Sequence, residues 1–176
     1  RSEVGARALG SRSILADPRV LDSRVRANVV KQREQWRPLA PSVLAERADE
    51  WFDGVPDGGS PYMSFTAYAK EHMREAIPAV VHVDGSARLQ TVASSTAPLY
   101  HALISAFYAL SGVPMVLNTS FNLAGEPIVE SPADALRTFL SASAELSLLA
   151  LGDALVRRRP YPQRSSHLRP RQVPSF

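Results

Sequence analysis

The segment PMVLNTSFNLAGEPIVESP, from Pro114 to Pro132, decides how the chain reads. It opens on an apolar run, Pro114-Met115-Val116-Leu117, entered through Gly112-Val113. A run of that kind bounded by turn residues predicts a strand buried inside a sheet. Without transition it passes into Asn118, Thr119, Ser120 and Asn122, four hydrogen-bonding side chains around Phe121. The end of a buried strand is where an α/β sheet presents ligand groups. Beyond it, Ser131-Pro132-Ala133-Asp134 sets a cap, a proline and an early acid in the order that starts a helix.

Outward from this segment, strand and helix signals alternate without repeats. Residues 13–16 predict a short strand, and Asp17-Pro18 a helix start followed by an apolar stripe of Leu21, Val25 and Val29. Residues 39–44 are expected to be interrupted at Pro41, 45–52 to form a short helix and 55–61 a loop. Strands are expected over 62–68, 79–83 and 87–92, the last two joined as a hairpin at Asp84-Gly85. Leu99, Leu103, Phe107 and Leu110 predict a helix that Gly112 ends, and 148–156 closing strand structure. The sum is an α/β fold, a mixed twisted sheet with flanking helices.

Composition limits the function classes. The 176 residues, 45% apolar, suffice for a real core, and the absence of cysteine excludes disulfides and thiolate metal sites. The four histidines lack metal-ligand spacing, so no metal site is expected. No leader or membrane span is legible, which with the missing cysteines predicts a cytoplasmic protein. Arg1 lies inside a dense motif, so the chain is expected to be a piece of a longer one. The net charge of +3 belongs to the end of the chain, because residues 157–176 hold six arginines and no acid, leaving 14 basic against 17 acidic residues before them. Residues 158–176, rich in Arg, Pro and Ser, are expected to be a poorly ordered tail, and 1–157 the folded domain. A mildly acidic body without interleaved aromatics and arginines argues against nucleic acid as the partner.

A second polar concentration, KQREQWRPLAPSV from Lys31 to Val43, places Lys31, Arg33 and Arg37 within seven residues. Lysine is scarce here, two against 18 arginines. A compact ammonium beside planar guanidinium forks suits an anion with several oxygens, such as a phosphate chain, although cations at a helix end also simply oppose the dipole. Asn118, Ser120 and Asn122 offer neutral donors and acceptors from one strand end. Ser120 is not read as a nucleophile, since no base stands beside it in sequence. Being site groups, these side chains need not fill the core, so neither Ser120→Ala nor Lys31→Ala is expected to unfold the domain.

Lys31-Gln32-Arg33 together with Ser120-Phe121-Asn122 resembles the Lys-x-Arg and Ser-x-Asn tetrad of YrdC-like domains. The longer segments EVGARALGSRSILADPR, KQREQWRPLAPSV, SPYM, IPAVVHVDGSARLQTV and GVPMVLNTSFNLAGEPIVESPADAL resemble, in order, the carboxy-terminal domain of NodU/CmcH-type carbamoyltransferases, a family that includes antibiotic O-carbamoyltransferases. The chain departs from that pattern at Val4 and Ala6, as packing variants, and at Ala124, where a basic residue is common. The resemblance implies a YrdC-like fold that joins ATP, with its Mg, and carbamoyl phosphate into a carbamoyl-adenylate. It assigns catalysis to Lys31, Arg33, Ser120 and Asn122, and substrate or nucleotide binding to Arg7, Arg37, Arg88 and Asn118. It also implies a separate amino-terminal actin-like ATPase-type domain that holds a metal and passes the carbamoyl group to a hydroxyl acceptor. Arg7 and Arg12 either reach the nucleotide or carbamoyl phosphate or pair with acids at the interface to that amino-terminal domain, and Glu126 either turns the chain or orients an arginine. A silent nucleotide-binding or interaction module and a YrdC-type RNA-binding domain are the alternatives.

Overall fold

The structure, a computed structural model, describes Glu3 and residues 7–158. Val4, Ala6 and the expected tail from 159 onward lie outside the described residues. Eight strands follow in chain order: β1 (Ser13–Ala16), β2 (Ala40–Leu44), β3 (Phe52–Asp53), β4 (Phe65–Ala69), β5 (Ser86–Val92), β6 (Met115–Ser120), β7 (Leu148–Leu151) and β8 (Ala154–Arg157). The helices are α1 (Leu21–Val30), α2 (Ala48–Trp51), α3 (Pro98–Ser111) and α4 (Pro132–Ser141). Strands β1 to β6 form one mixed sheet in the order β1-β6-β2-β5-β4-β3, in which only β2 and β5 are parallel, and β7 and β8 pair separately. A mixed sheet flanked by helices is the expected fold class.

The apolar run that opens β6 is buried as predicted, with Met115 and Leu117 inaccessible and the strand enclosed between β1 and β2. Register then assembles the polar end. Asn118 pairs with Ala40 at the start of β2, and Ser120 with Ser13 at the start of β1. Because β2 runs parallel to β5 with Ser42 opposite Gln90, Arg88 lies level with Ala40. Alternate residues of a strand share a face, so Arg88 and Gln90, Ala40 and Ser42, and Asn118 and Ser120 form three neighbouring pairs over one region of the sheet.

Several local expectations fail for physical reasons. Pro41 does not interrupt β2, because the parallel ladder to β5 begins only at Ser42. Asp17 caps a turn, accepting from the Arg19 amide at 2.9 Å, and α1 starts four residues later. The stripe of Leu21, Val25 and Val29 is left partly in solvent while α1 buries Ala27, Asn28 and Val30. In α3, too, the buried residues are Tyr100 and Ile104, and Leu99 and Leu110 stand 88% and 90% exposed. That helix is apolar over much of its circumference, so composition alone does not select the face. Residues 79–83 form no strand: Ala79 and Val80 enter the core as irregular chain, with the Ala79 amide on the Pro18 carbonyl at 3.1 Å. The Asp84-Gly85 turn does form, with Gly85 at φ 84° and Asp84 accepting from the Ser86 amide at 2.9 Å, but only β5 continues from it. Strand β4 begins at Phe65, after Met63 has taken φ 55°. The helix at Ser131 carries its full capping box with Asp134, as its sequence predicts. Arg158 packs onto the body, its guanidinium over the Phe139 ring at 5.0 Å and donating to the Ala142 carbonyl at 2.8 Å.

Candidate functional site

Helix α1 delivers Lys31 to the end of β6. The helix caps at Lys31, and Gln32 at φ 52° reverses the chain into the loop that leads to β2. Asn28, fully buried on α1, folds that loop: its amide donates to the Arg37 carbonyl at 3.2 Å and its oxygen accepts from Arg33 Nε at 2.6 Å. Lys31, 6% exposed, donates to Ser120 O at 2.6 Å, Ser120 Oγ at 3.0 Å, Asn122 O at 3.2 Å and Asn122 Oδ1 at 2.8 Å. Ser120 Oγ in turn donates to Asn122 Oδ1 at 2.7 Å. Among the described residues, the partners of this ammonium are four neutral oxygens and no carboxylate. Burial, with Arg33 nearby, pushes its pKa down to about 8.

These groups line an outer groove of about 750 Å³, shared by Lys31, Arg33, Arg37, Ser120 and Asn122, with Glu34 its one acid. Arg37 is ion-paired to Glu34 at 2.7 Å and stacks on Trp36 at 5.6 Å. Arg33 and Ser120 also line a second, inner cavity of about 170 Å³, together with Arg7, His82, Arg88 and Asn118. Among the described residues no acidic side chain lines that cavity. Burial, then the charge of Arg88, lowers the Arg7 pKa, and burial, then Arg37, lowers that of Arg33 against the opposing Glu34. His82 is held below the ordinary imidazole range by burial, which outweighs Asp84 and is joined by Arg88 and Arg24. Two basic cavities of different size therefore share two lining residues, Arg33 and Ser120.

Asn118 is the floor of the inner cavity and is 1% exposed. Its nitrogen reaches Ala8 O at 3.1 Å, Ser42 Oγ at 3.0 Å and Gln90 Oε1 at 2.9 Å. Gln90 Nε2 donates to Leu9 O at 2.9 Å. The buried amides thus fasten the segment carrying Arg7 onto the sheet. Gly10, at φ 119°, lets this segment descend: a Cβ there would stand 2.4 Å from the Tyr100 ring.

The structure brings all eight sequence-predicted residues to the two cavities, Lys31, Arg37 and Asn122 to the outer, Arg7, Arg88 and Asn118 to the inner, and Arg33 and Ser120 to both. Lys31 and Asn118 are at the same time buried parts of the fold. Arg12 is structural, donating to Val129 O at 3.1 Å and lying 3.7 Å from Glu3. Glu126 orients no arginine; its carboxylate accepts from the Leu123 amide and Thr138 Oγ1, both at 3.2 Å, and closes the turn after β6. Ala124 lines the outer groove, where the family pattern often has a cation. Sequence reasoning did not single out Ser42 or Gln90, and a lone His82 among valines reads as a packed or half-exposed residue rather than the cavity-lining group it is. The period-2 spacing of Arg88 and Gln90 was the available signal for Gln90.

Fold and site define a mixed α/β domain with a basic, largely acid-free cleft at one strand end. Residues 1–158 match the family described as Carbamoyltransferase C-terminus, and the chain belongs to it. It is 50% identical over 163 residues to nodulation protein NolO of Bradyrhizobium diazoefficiens, a match covering 91% of this chain and 29% of that protein. It is also 50% identical to nodulation protein NolNO of Sinorhizobium fredii, over 90% of this chain and 23% of the relative. Nodulation protein U of Bradyrhizobium diazoefficiens is 46% identical over 123 residues, 69% of this chain and 21% of that protein. The chain therefore spans about a quarter of the length of these relatives. Among the described residues no helix is long and apolar enough to cross a membrane.

Proposed function

We propose that this domain binds carbamoyl phosphate in the inner cavity and ATP, with its Mg, in the outer groove, and joins them into carbamoyl-adenylate. The observation that carries the reading is the shared edge of the two cavities, where Arg33 and Ser120 line both. Two anions repel, and Arg7, Arg33 and Arg88 inside with Lys31 and Arg37 outside offset that repulsion as the ligands approach. The balance requires one water. The carbamoyl–phosphate link is hydrolysed to carbamate and inorganic phosphate, and a carbamate oxygen then displaces pyrophosphate from the α-phosphorus of ATP. Positioning and charge stabilisation supply the catalysis, and neither Ser120 nor Lys31 forms a covalent bond. In this reading the carbamoyl group would then pass to a hydroxyl acceptor in an amino-terminal actin-like domain, which would hold the metal of that step. Titration tests the reading: a non-hydrolysable ATP analogue and carbamoyl phosphate should each saturate the chain, and each should remain bound beside the other. Competition between them for one site would refute the two-cavity assignment. Nucleotide binding without carbamoyl phosphate binding would leave a silent nucleotide module instead.

A further inference from the structure

The Asn118 amide has only one orientation open to it. All three neighbours of its nitrogen are acceptors: Ala8 O is a carbonyl, Gln90 Oε1 is fixed by Gln90 Nε2 on Leu9 O, and Ser42 Oγ has given its proton to Gln90 Oε1 at 2.5 Å. A flipped amide would set oxygen against three oxygens. Asn118 Oδ1 is left buried and, among the described residues, without a donor. An unpartnered buried acceptor is uncommon and points to a missing partner. Asn118 lines the cavity of Arg7, Arg33 and Arg88, so an anion held there that also bears an N–H close to its charge would supply the missing donor.

We propose that Gln90, acting with Ser42, is a positioning residue that holds the Asn118 oxygen toward the inner cavity, and that this oxygen selects an acyl phosphate bearing an amide N–H over its methyl isostere. The inference rests on the inner cavity taking an acyl phosphate, as proposed above. Gln90 is 3% exposed, is not among the residues that line the cavity, and reaches it through its hydrogen bond to Asn118. Replacing the N–H of the ligand by a methyl leaves the charge for the arginines unchanged and leaves Asn118 Oδ1 desolvated and unmet.

Carbamoyl phosphate and acetyl phosphate, titrated separately into the 176-residue chain, form the test. The expected result is preference for carbamoyl phosphate by about tenfold or more, the factor associated with one buried hydrogen bond left unmade. In Gln90→Leu the preference should collapse; acetyl phosphate binding should weaken only as far as Arg7 loosens with the lost Leu9 tether, because Arg33 is held by Asn28 and Pro38 and Arg88 by β5. A merely structural role would weaken both anions together and keep their ratio. Ser42→Ala, a smaller change, should lower the ratio in the same direction. Equal affinity of the unaltered chain for both anions would overturn the inference and leave the proposed function standing, and this outcome needs no variant to fold. Failure of both to bind would overturn both. A folded Gln90→Leu chain with the original ratio would remove Gln90 from the selection.

Discussion

Lys31→Met removes an ammonium and keeps most of the stem. Its ammonium holds the Ser120 and Asn122 carbonyls at 2.6 and 3.2 Å in a site only 6% exposed, so solvent replaces little of what is lost. A buried acceptor deprived of its donor costs about 1–3 kcal/mol, and two backbone carbonyls are affected. Removing a buried charge also relieves its desolvation, which offsets part of that loss. Ser120 Oγ still donates to Asn122 Oδ1. The net destabilisation is about 2 kcal/mol, a fall in Tm of about 4–8 °C for a chain of this size. Thermal unfolding followed by far-UV circular dichroism at neutral pH measures it. A Tm equal to or above that of the unaltered chain would refute the clamp, and Lys31 would then be a ligand group alone.

Other outcomes follow from the same geometry. Nucleotide affinity should fall several-fold as pH rises through about 8, because Lys31 loses its proton there while the arginines keep theirs; calorimetry across that range should find the dependence abolished in Lys31→Met. Stability should not fall over the same window: the folded-state pKa is depressed, so between about 8 and the ordinary lysine range the unfolded chain binds more protons and unfolding becomes harder with rising pH, as denaturant titration can check. Gly10→Ala should cost about 2–3 kcal/mol by denaturant unfolding, since φ 119° is strained for any side chain and the new Cβ would meet the Tyr100 ring at 2.4 Å. Leu110→Gln should change stability by no more than about 0.5 kcal/mol, because the side chain stands in solvent; a larger loss would return the helix face to the stripe read from sequence.

What was legible in the sequence had a local cause. The run into Leu117 is apolar long enough to require burial, and the Ser131 box satisfies its own helix end, so both elements could be read without tertiary knowledge. Helices α1 and α3 carry apolar residues on more than one face, and which face turns inward is fixed by the sheet rather than by spacing. Pro41 misled because its missing N–H matters only if a neighbour needs it, and register alone decides that. At the site, residue type pointed to the cations and the polar strand end, while the meeting of Lys31 with Ser120 across 89 positions came from family resemblance. The burial of Asn118 and its dependence on Gln90 and Ser42 arise from three strands in register, which no single segment contains.

Formation of the adenylate is tested most directly by pyrophosphate release from ATP by the chain, measured with and without carbamoyl phosphate. Carbamoyl-adenylate formation predicts release that requires carbamoyl phosphate and is strongly reduced in Ser120→Ala, a change at a residue that lines both cavities. Release that proceeds equally without carbamoyl phosphate, or none when both ligands are shown to be bound, would contradict it.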